Sequence, residues 1–122
     1  MDDRQLARSV ALSRIGIGIA LLLAPARAGE RWIGPTAHDP AAKMMIRGVG
    51  IRDVALGAGT YQALANGDSV RPWLQAGVAS DAVDAVAAVL GFRRIGALRA
   101  LPAIATAAGA AVIGARLSSA ID

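Results

Sequence analysis

The chain has 122 residues, enough for one domain, and 55% of them are apolar, 18% are charged and the formal net charge is +4. Soluble domains carry about 25% charged residues, so this composition favours an integral membrane protein over an alanine-rich soluble bundle. The absence of cysteine excludes disulfides and thiolate chemistry, and scattered arginines with few aromatic residues argue against a nucleic-acid partner.

The first predicted span covers residues 5–25 and is built on the apolar run 15–24. Basic residues before that run and Ala26-Arg27-Ala28 after it, with small residues at 26 and 28, are also typical of a secretory leader with its cleavage site. Asp2 and Asp3 are unusual in such a leader. We therefore interpret the segment as a retained membrane helix.

The connection that follows, residues 25–43, is rich in proline, glycine and charge. Pro35 and Pro40 prevent a continuous helix through it, so we expect an interfacial loop with at most one short helical turn. Trp32 is expected at the level of the lipid headgroups. His38 is the sole histidine, and without a second histidine or a cysteine it predicts neither a metal site nor a cofactor.

The remaining spans are predicted at residues 44–65, 72–91 and 98–117, with a compact turn at 66–69. Four spans joined by short connections predict an all-α, four-transmembrane-helix up-down bundle. The second span contains Arg47, Arg52 and Asp53, and the third contains Asp81 and Asp84. Because a charged residue at the centre of a membrane helix costs about 2.5 to 3.5 kcal/mol, neither span should insert well alone.

Depth counting suggests how these charges are tolerated. At 1.5 Å per residue outward from the 66–69 turn, Asp53 and Asp84 lie at the same depth and Arg52 lies one residue away. We predict an Arg52–Asp84 ion pair in a polar layer that also contains Arg47, Asp53 and Asp81. The carboxylates outnumber the central guanidinium group, and either Arg47 or Arg14 could supply the missing cation.

Glycines recur on the same faces as these charges. Gly50 and Gly57 share a helical stripe with Asp53, and Gly77 shares one with Asp81. Small residues let membrane helices approach closely. We expect these three glycines to bring the second and third spans together.

Two stretches of the sequence resemble a known family. The first is GIRDVALG (residues 50–57), preceded by Arg47 and followed on the next helix by DAVD (residues 81–84). The second is Ala24-Pro25 followed by WIGP (residues 32–35). Together they resemble a family of small four-helix integral membrane proteins of bacteria and fungi. That family is classed as a domain of unknown function, so the resemblance implies a membrane location and four helices, and no activity.

The sequence offers no catalytic constellation. The sole histidine has no nucleophile beside it in the sequence, and the glycines at 48–59 follow no strand that would make them a phosphate loop. We therefore predict that the protein is not an enzyme. Paired carboxylates within the membrane remain the one conceivable acid–base arrangement.

Two hypotheses for the function stay open. In the first, the protein is an accessory or scaffold membrane protein, a homo-oligomer or a small subunit of a partner membrane protein, and its Arg–Asp layer is structural. In the second, it is a small proton-coupled carrier or a lipophilic-ligand binder that uses Asp53, Asp81 and Asp84. Both predict a multi-pass protein of the cell membrane whose first partner is the lipid bilayer.

The orientation follows from the distribution of basic residues. The first and third connections contain Arg27, Arg31, Lys43, Arg93, Arg94 and Arg99, and the other face contains Arg4, Arg8, Arg71 and Arg116, with Arg14 open to either assignment. The positive-inside rule then predicts that the first and third connections are cytoplasmic.

Overall fold

A computed structural model describes residues 1–121, of which 91% are helical and none is in a strand. The order is α1 (Asp3–Leu23), α2 (Pro25–Ile33), a 3₁₀-helix (Gly34–His38), α3 (Pro40–Asn66), α4 (Arg71–Leu90), α5 (Phe92–Ile95) and α6 (Ala97–Ala120). The all-α class is confirmed. The four long helices α1, α3, α4 and α6 overlap the four predicted spans, with ends that differ by a few residues.

Within residues 1–121, three helices are long and apolar enough to cross a membrane, namely α1, α4 and α6. The fourth long helix, α3, has 27 residues, but Arg47, Arg52 and Asp53 interrupt its apolar sequence and it does not qualify. α4 qualifies although it carries Asp81 and Asp84, since the rest of that helix is strongly apolar. The second and third predicted spans therefore differ in their suitability to cross a membrane, although both carry charges near their centres.

The long helices alternate in direction. The Arg4 side chain donates a hydrogen bond to the Leu64 carbonyl at 3.3 Å, so α1 begins where α3 ends. Arg71 donates to the Ser118 carbonyl at 3.0 Å, so α4 begins where α6 ends. We call this end of the bundle the terminal end. The opposite, basic end contains α2 and α5 with Arg27, Arg31, Lys43, Arg93, Arg94 and Arg99.

The bundle is made of two helix pairs. α1 packs along α3, and α4 packs along α6, whereas α3 meets α4, and α1 meets α6, at few places. One α3–α4 contact lies at the terminal end, where the Trp73 ring covers Gly59 so closely that a side chain at residue 59 would overlap it. The expectation that α3 and α4 approach closely along their length is therefore wrong. The closest approach is between α1 and α3.

Residues 25–43 form more helix than expected. Pro25 opens α2 and Pro40 opens α3 at first-turn positions, where the missing proline N–H costs no hydrogen bond. α2 ends at Gly34, whose φ of +76° is a conformation that side chains disfavour. The prediction that residues 25–43 form a loop with at most one short helical turn is therefore wrong. The prolines interrupt the chain as expected, but they begin helices instead of excluding them.

Apolar side chains form one cluster near each end of the bundle. The cluster at the terminal end contains Ala7, Ala63, Leu64, Val70, Leu74, Leu117 and Ile121, with Leu6 packed against it. The cluster at the basic end contains Leu21, Ala37 and Ile46, with Ala28, Ile33 and Val49 packed against it. The charged side chains of α1, α3 and α4 lie between these clusters, at the middle of the bundle.

Candidate functional site

Five charged side chains from three helices form a continuous chain of ion pairs, which we call the charged layer. Its order is Asp81, Arg14, Asp53, Arg52 and Asp84, so that each guanidinium group lies between two carboxylates. Arg14 comes from α1, Arg52 and Asp53 from α3, and Asp81 and Asp84 from α4. The layer therefore links the two helix pairs, whose helices otherwise meet at few places.

The predicted Arg52–Asp84 pair is present in a bidentate form. The two terminal nitrogen atoms of Arg52 donate to the two carboxylate oxygens of Asp84 at 3.0 and 2.7 Å. The same guanidinium group donates to Asp53 at 3.2 Å from Nη2. Bidentate pairs of this kind fix the relative orientation of both side chains as well as their distance.

Arg14 holds the other half of the layer. Its guanidinium group donates to Asp81 Oδ2 at 2.5 Å and to Asp53 Oδ1 at 3.2 Å. Of the two arginines considered as the extra cation, Arg14 is the one present. The position of Arg14 in the sequence could have identified it as this cation. The centre of the predicted span 5–25 lies beside Arg14, so counting depth along the span places it at mid-length.

Arg47 does not belong to the layer. Its Nε donates to the Leu22 carbonyl at 3.3 Å, and the residue is exposed near the basic end. It lies five residues before Arg52, more than one helical turn away, so its side chain reaches the end of α1 instead of Asp53. The prediction that Arg47 is part of the polar layer is wrong.

The three glycines expected between α3 and α4 contact α1 instead. A methyl group on Gly50 would meet the Gly18 carbonyl oxygen at 2.8 Å, and one on Gly57 would meet the Ala11 carbonyl oxygen at 2.6 Å. Gly77 of α4 faces the Arg14 guanidinium group, whose Nη2 would lie 3.4 Å from an added methyl group. Gly50 and Gly57 therefore allow α1 and α3 to pack, and Gly77 leaves room for Arg14.

A cavity of about 820 Å³ lies between α1 and α6 and reaches the charged layer. We call it the α1–α6 cleft. It runs from Leu6 to Leu21 along α1 and from Arg99 to Ile113 along α6, a length of about 20 Å at 1.5 Å per residue. Its walls are mainly apolar. The cleft exists because α1 and α6 belong to different helix pairs and hardly touch.

Charged groups line the cleft at two depths. Arg14, Asp53, Asp81 and Asp84 border it near mid-length, where their side chains are between 9% and 24% exposed. Arg31, Trp32 and Arg99 border it at the basic end. Arg99 donates to the Glu30 carbonyl at 3.2 Å, which ties α6 to α2. The cleft is thus an apolar groove with a basic mouth.

The charged layer satisfies its own polar atoms. In the described part of the chain, every buried side-chain nitrogen and oxygen has a hydrogen-bond partner. The same residues include no group of three histidine, cysteine or acidic side chains suited to a metal ion. With two guanidinium groups and three carboxylates, the layer holds one formal negative charge in excess. Its chemistry is that of paired ions between helices.

Comparison with known proteins finds no matching family model, no matching curated protein and no matching solved structure. The resemblance to small four-helix membrane proteins of unknown function stays a prediction.

Proposed function

We propose that this protein is a four-span protein of the cell membrane that binds a lipophilic molecule in the α1–α6 cleft. The observation that carries the proposal is the cleft itself, an apolar groove of about 820 Å³ along the bundle. Binding pockets for small molecules typically measure about 300 to 1,000 Å³ and combine apolar walls with a few polar groups. Both properties describe this cleft.

The shape of the cleft suits a long, narrow molecule. Its mainly apolar walls run about 20 Å along α1 and α6, a length that a lipid chain or another extended lipophilic molecule can follow. The charged layer then has a supporting role, because it holds the two helix pairs together while leaving the groove between them open.

α3 becomes the fourth span in this proposal. Its central charges are paired with Arg14 of α1 and Asp84 of α4, so its insertion depends on neighbours that already lie in the bilayer. Ionisable residues inside membranes generally face the bundle interior and pair with one another. This pairing would allow α3 to cross the membrane although it is the one long helix whose sequence is not apolar enough to qualify as a span by itself.

A photoreactive probe tests the proposal directly. A long-chain alcohol carrying a diazirine, added to the purified protein in detergent, is expected to label peptides that face the cleft. Gly109 borders the cleft and has open space around it, so Gly109→Phe should fill the groove without a clash and reduce labelling at least fivefold. Ala108→Phe, on the exposed neighbouring position, is the matched control and should leave labelling unchanged.

Uniform labelling over all outer helix faces, unaffected by Gly109→Phe in a folded protein, would refute ligand binding. The second candidate function, an accessory or scaffold protein, would then be favoured. The observation in its support is that the layer is already fully paired, since Asp53 receives hydrogen bonds from both Arg14 and Arg52. Such a layer needs no ligand and can simply fix how the helices assemble.

A further inference from the structure

We propose that the molecule in the cleft is an anionic lipid, with its phosphate bound by Arg31 and Arg99 and one acyl chain lying along the groove. The inference rests on the proposed function, since it names the class of ligand for the same cleft. It is carried by the position of the two arginines at one end of an otherwise apolar groove. Charge at the end and apolar walls along the length match the shape of a lipid.

The arginines of the charged layer and those at the mouth of the cleft differ in whether they can bind an incoming anion. Arg14 and Arg52 in the layer are both held by carboxylates. Among residues 1–121, by contrast, Arg31 makes no ion pair, and the Arg99 side chain makes one hydrogen bond, to a backbone carbonyl. The cationic groups that can accept an incoming anion are therefore those at the mouth. Arginine donors suit phosphate, because the planar guanidinium group can donate two parallel hydrogen bonds.

The surroundings of the mouth fit the headgroup region of a bilayer. Trp32 lies beside Arg31 and borders the cleft, and tryptophan is enriched where membranes meet water. Arg93, Arg94 and Lys43 lie at the same end of the bundle but do not line the cleft. Basic pockets between membrane helices are known sites for anionic headgroups.

The acyl chain has an apolar path inward from this mouth. Leu21 and Ile17 of α1 face Pro102 and Ala103 of α6 across the groove. Thr106, which also lines the cleft, lies seven residues beyond Arg99, about 10 Å along the helix. The side chains of the charged layer are at most 29% exposed. An acyl chain in the groove therefore lies beside paired ions and not beside free charges.

Tryptophan fluorescence in mixed vesicles can test this assignment. The chain has two tryptophans, so Trp73→Phe leaves Trp32 at the mouth, and Trp32→Phe leaves Trp73 at the terminal end as a reference. The protein is reconstituted in phosphatidylcholine vesicles containing a small fraction of bromine-labelled phosphatidylglycerol or bromine-labelled phosphatidylcholine. We measure the mole fraction of brominated lipid that halves the fluorescence of Trp32. We expect this mole fraction to be at least fivefold lower for the anionic lipid than for the zwitterionic lipid. Trp73 should differ by less than twofold.

Charge variants identify the groups responsible. Arg31→Gln changes an exposed side chain and should abolish the preference of the Trp32 site, as should Arg99→Gln. Arg93→Gln with Arg94→Gln is the matched control, because it removes two charges at the same end but outside the cleft. Inorganic phosphate at millimolar concentration should leave the preference intact, since the acyl chain contributes to binding.

Each contrary result has a distinct meaning. If Trp32 is quenched more readily than Trp73 but equally by both lipids, the cleft binds a lipophilic chain and the anionic assignment is wrong. If Trp32 is quenched no more than Trp73 by either lipid, no chain enters the cleft and the proposed function fails as well. If the Arg93→Gln, Arg94→Gln variant loses the preference for anionic lipid, the lipid is attracted diffusely to the basic end. If inorganic phosphate abolishes the preference, the site binds free anions. Both results overturn the lipid assignment.

Discussion

Asp53 Oδ1 accepts hydrogen bonds from both Arg14 and Arg52, yet its charge is the one that the layer can lose most easily. Without it, Arg14 still faces Asp81 and Arg52 still faces Asp84, as two balanced pairs. Removing an arginine has the opposite effect. It leaves three carboxylates around one guanidinium group, and an unpaired buried charge costs about 3 to 5 kcal/mol.

We therefore predict unequal effects of neutralising the layer. Arg14→Gln should lower the free energy of unfolding by about 3 kcal/mol or more. Asp53→Asn keeps an acceptor oxygen and should cost about 1 kcal/mol, the value of an ordinary hydrogen bond. Unfolding of the purified protein in mixed micelles by increasing SDS measures both. Equal losses for the two variants would contradict the balance of charges described here.

At the scale of the helices, the α1–α3 contact depends on positions without side chains. An added methyl group on Gly57 would lie 2.6 Å from the Ala11 carbonyl oxygen and 2.7 Å from Ile15 Cγ1. Both distances are too short for a carbon atom, and the neighbour at the first is rigid backbone. Gly48 on the same helix has nothing within 4 Å of an added methyl group.

Alanine substitutions at these two glycines should thus have opposite effects. Gly57→Ala should destabilise the protein by about 1 to 3 kcal/mol, the usual cost of overpacking. Gly48→Ala should be neutral or stabilise it by up to about 1 kcal/mol, because alanine favours helix more than glycine does. Thermal unfolding in detergent distinguishes the two. A destabilised Gly48→Ala, or an unaffected Gly57→Ala, would show that α1 and α3 pack on other faces.

The four long helices and the central ion pair could be predicted from the sequence, whereas the short helices of the connections and the partner of each long helix could not. Apolar runs bounded by proline and glycine locate the helices, and depth counting locates Arg52 opposite Asp84. A stripe such as Gly50, Asp53 and Gly57 shows only that its members share a side of the helix. In the structure Gly50 and Gly57 face α1 while the Asp53 carboxylate reaches both Arg14 and Arg52.

The cleft was harder still to anticipate. It arises from a pairing of helices, α1 with α3 and α4 with α6, that leaves α1 and α6 apart. Each of its walls is an ordinary apolar helix face in the sequence. Outside the charged layer, Arg31 and Arg99 are the charged residues that line it, and in the sequence both look like connection residues that set the orientation of the protein.

For the whole molecule, the two ends of the bundle differ in charge. The basic end carries six cations in its connections, and the exposed Arg47 lies near it. The terminal end carries Arg4, Arg8, Arg71 and Arg116. Arg14, which the sequence left open to either assignment, lies in the charged layer and counts for neither. The asymmetry therefore favours a cytoplasmic basic end, where anionic lipids are also concentrated.

Cysteine labelling can test this orientation, because the natural chain contains no cysteine. Asp68 lies in the α3–α4 turn at the terminal end, and Arg94 lies in α5 at the basic end; both are exposed. A membrane-impermeant maleimide added to intact cells should label Asp68→Cys, and it should label Arg94→Cys only after the cells are opened. The two variants control for each other, since each is accessible from one side only. The reverse pattern would show the opposite orientation, with the basic mouth of the cleft in the outer leaflet. Labelling of both variants in intact cells would exclude a single orientation.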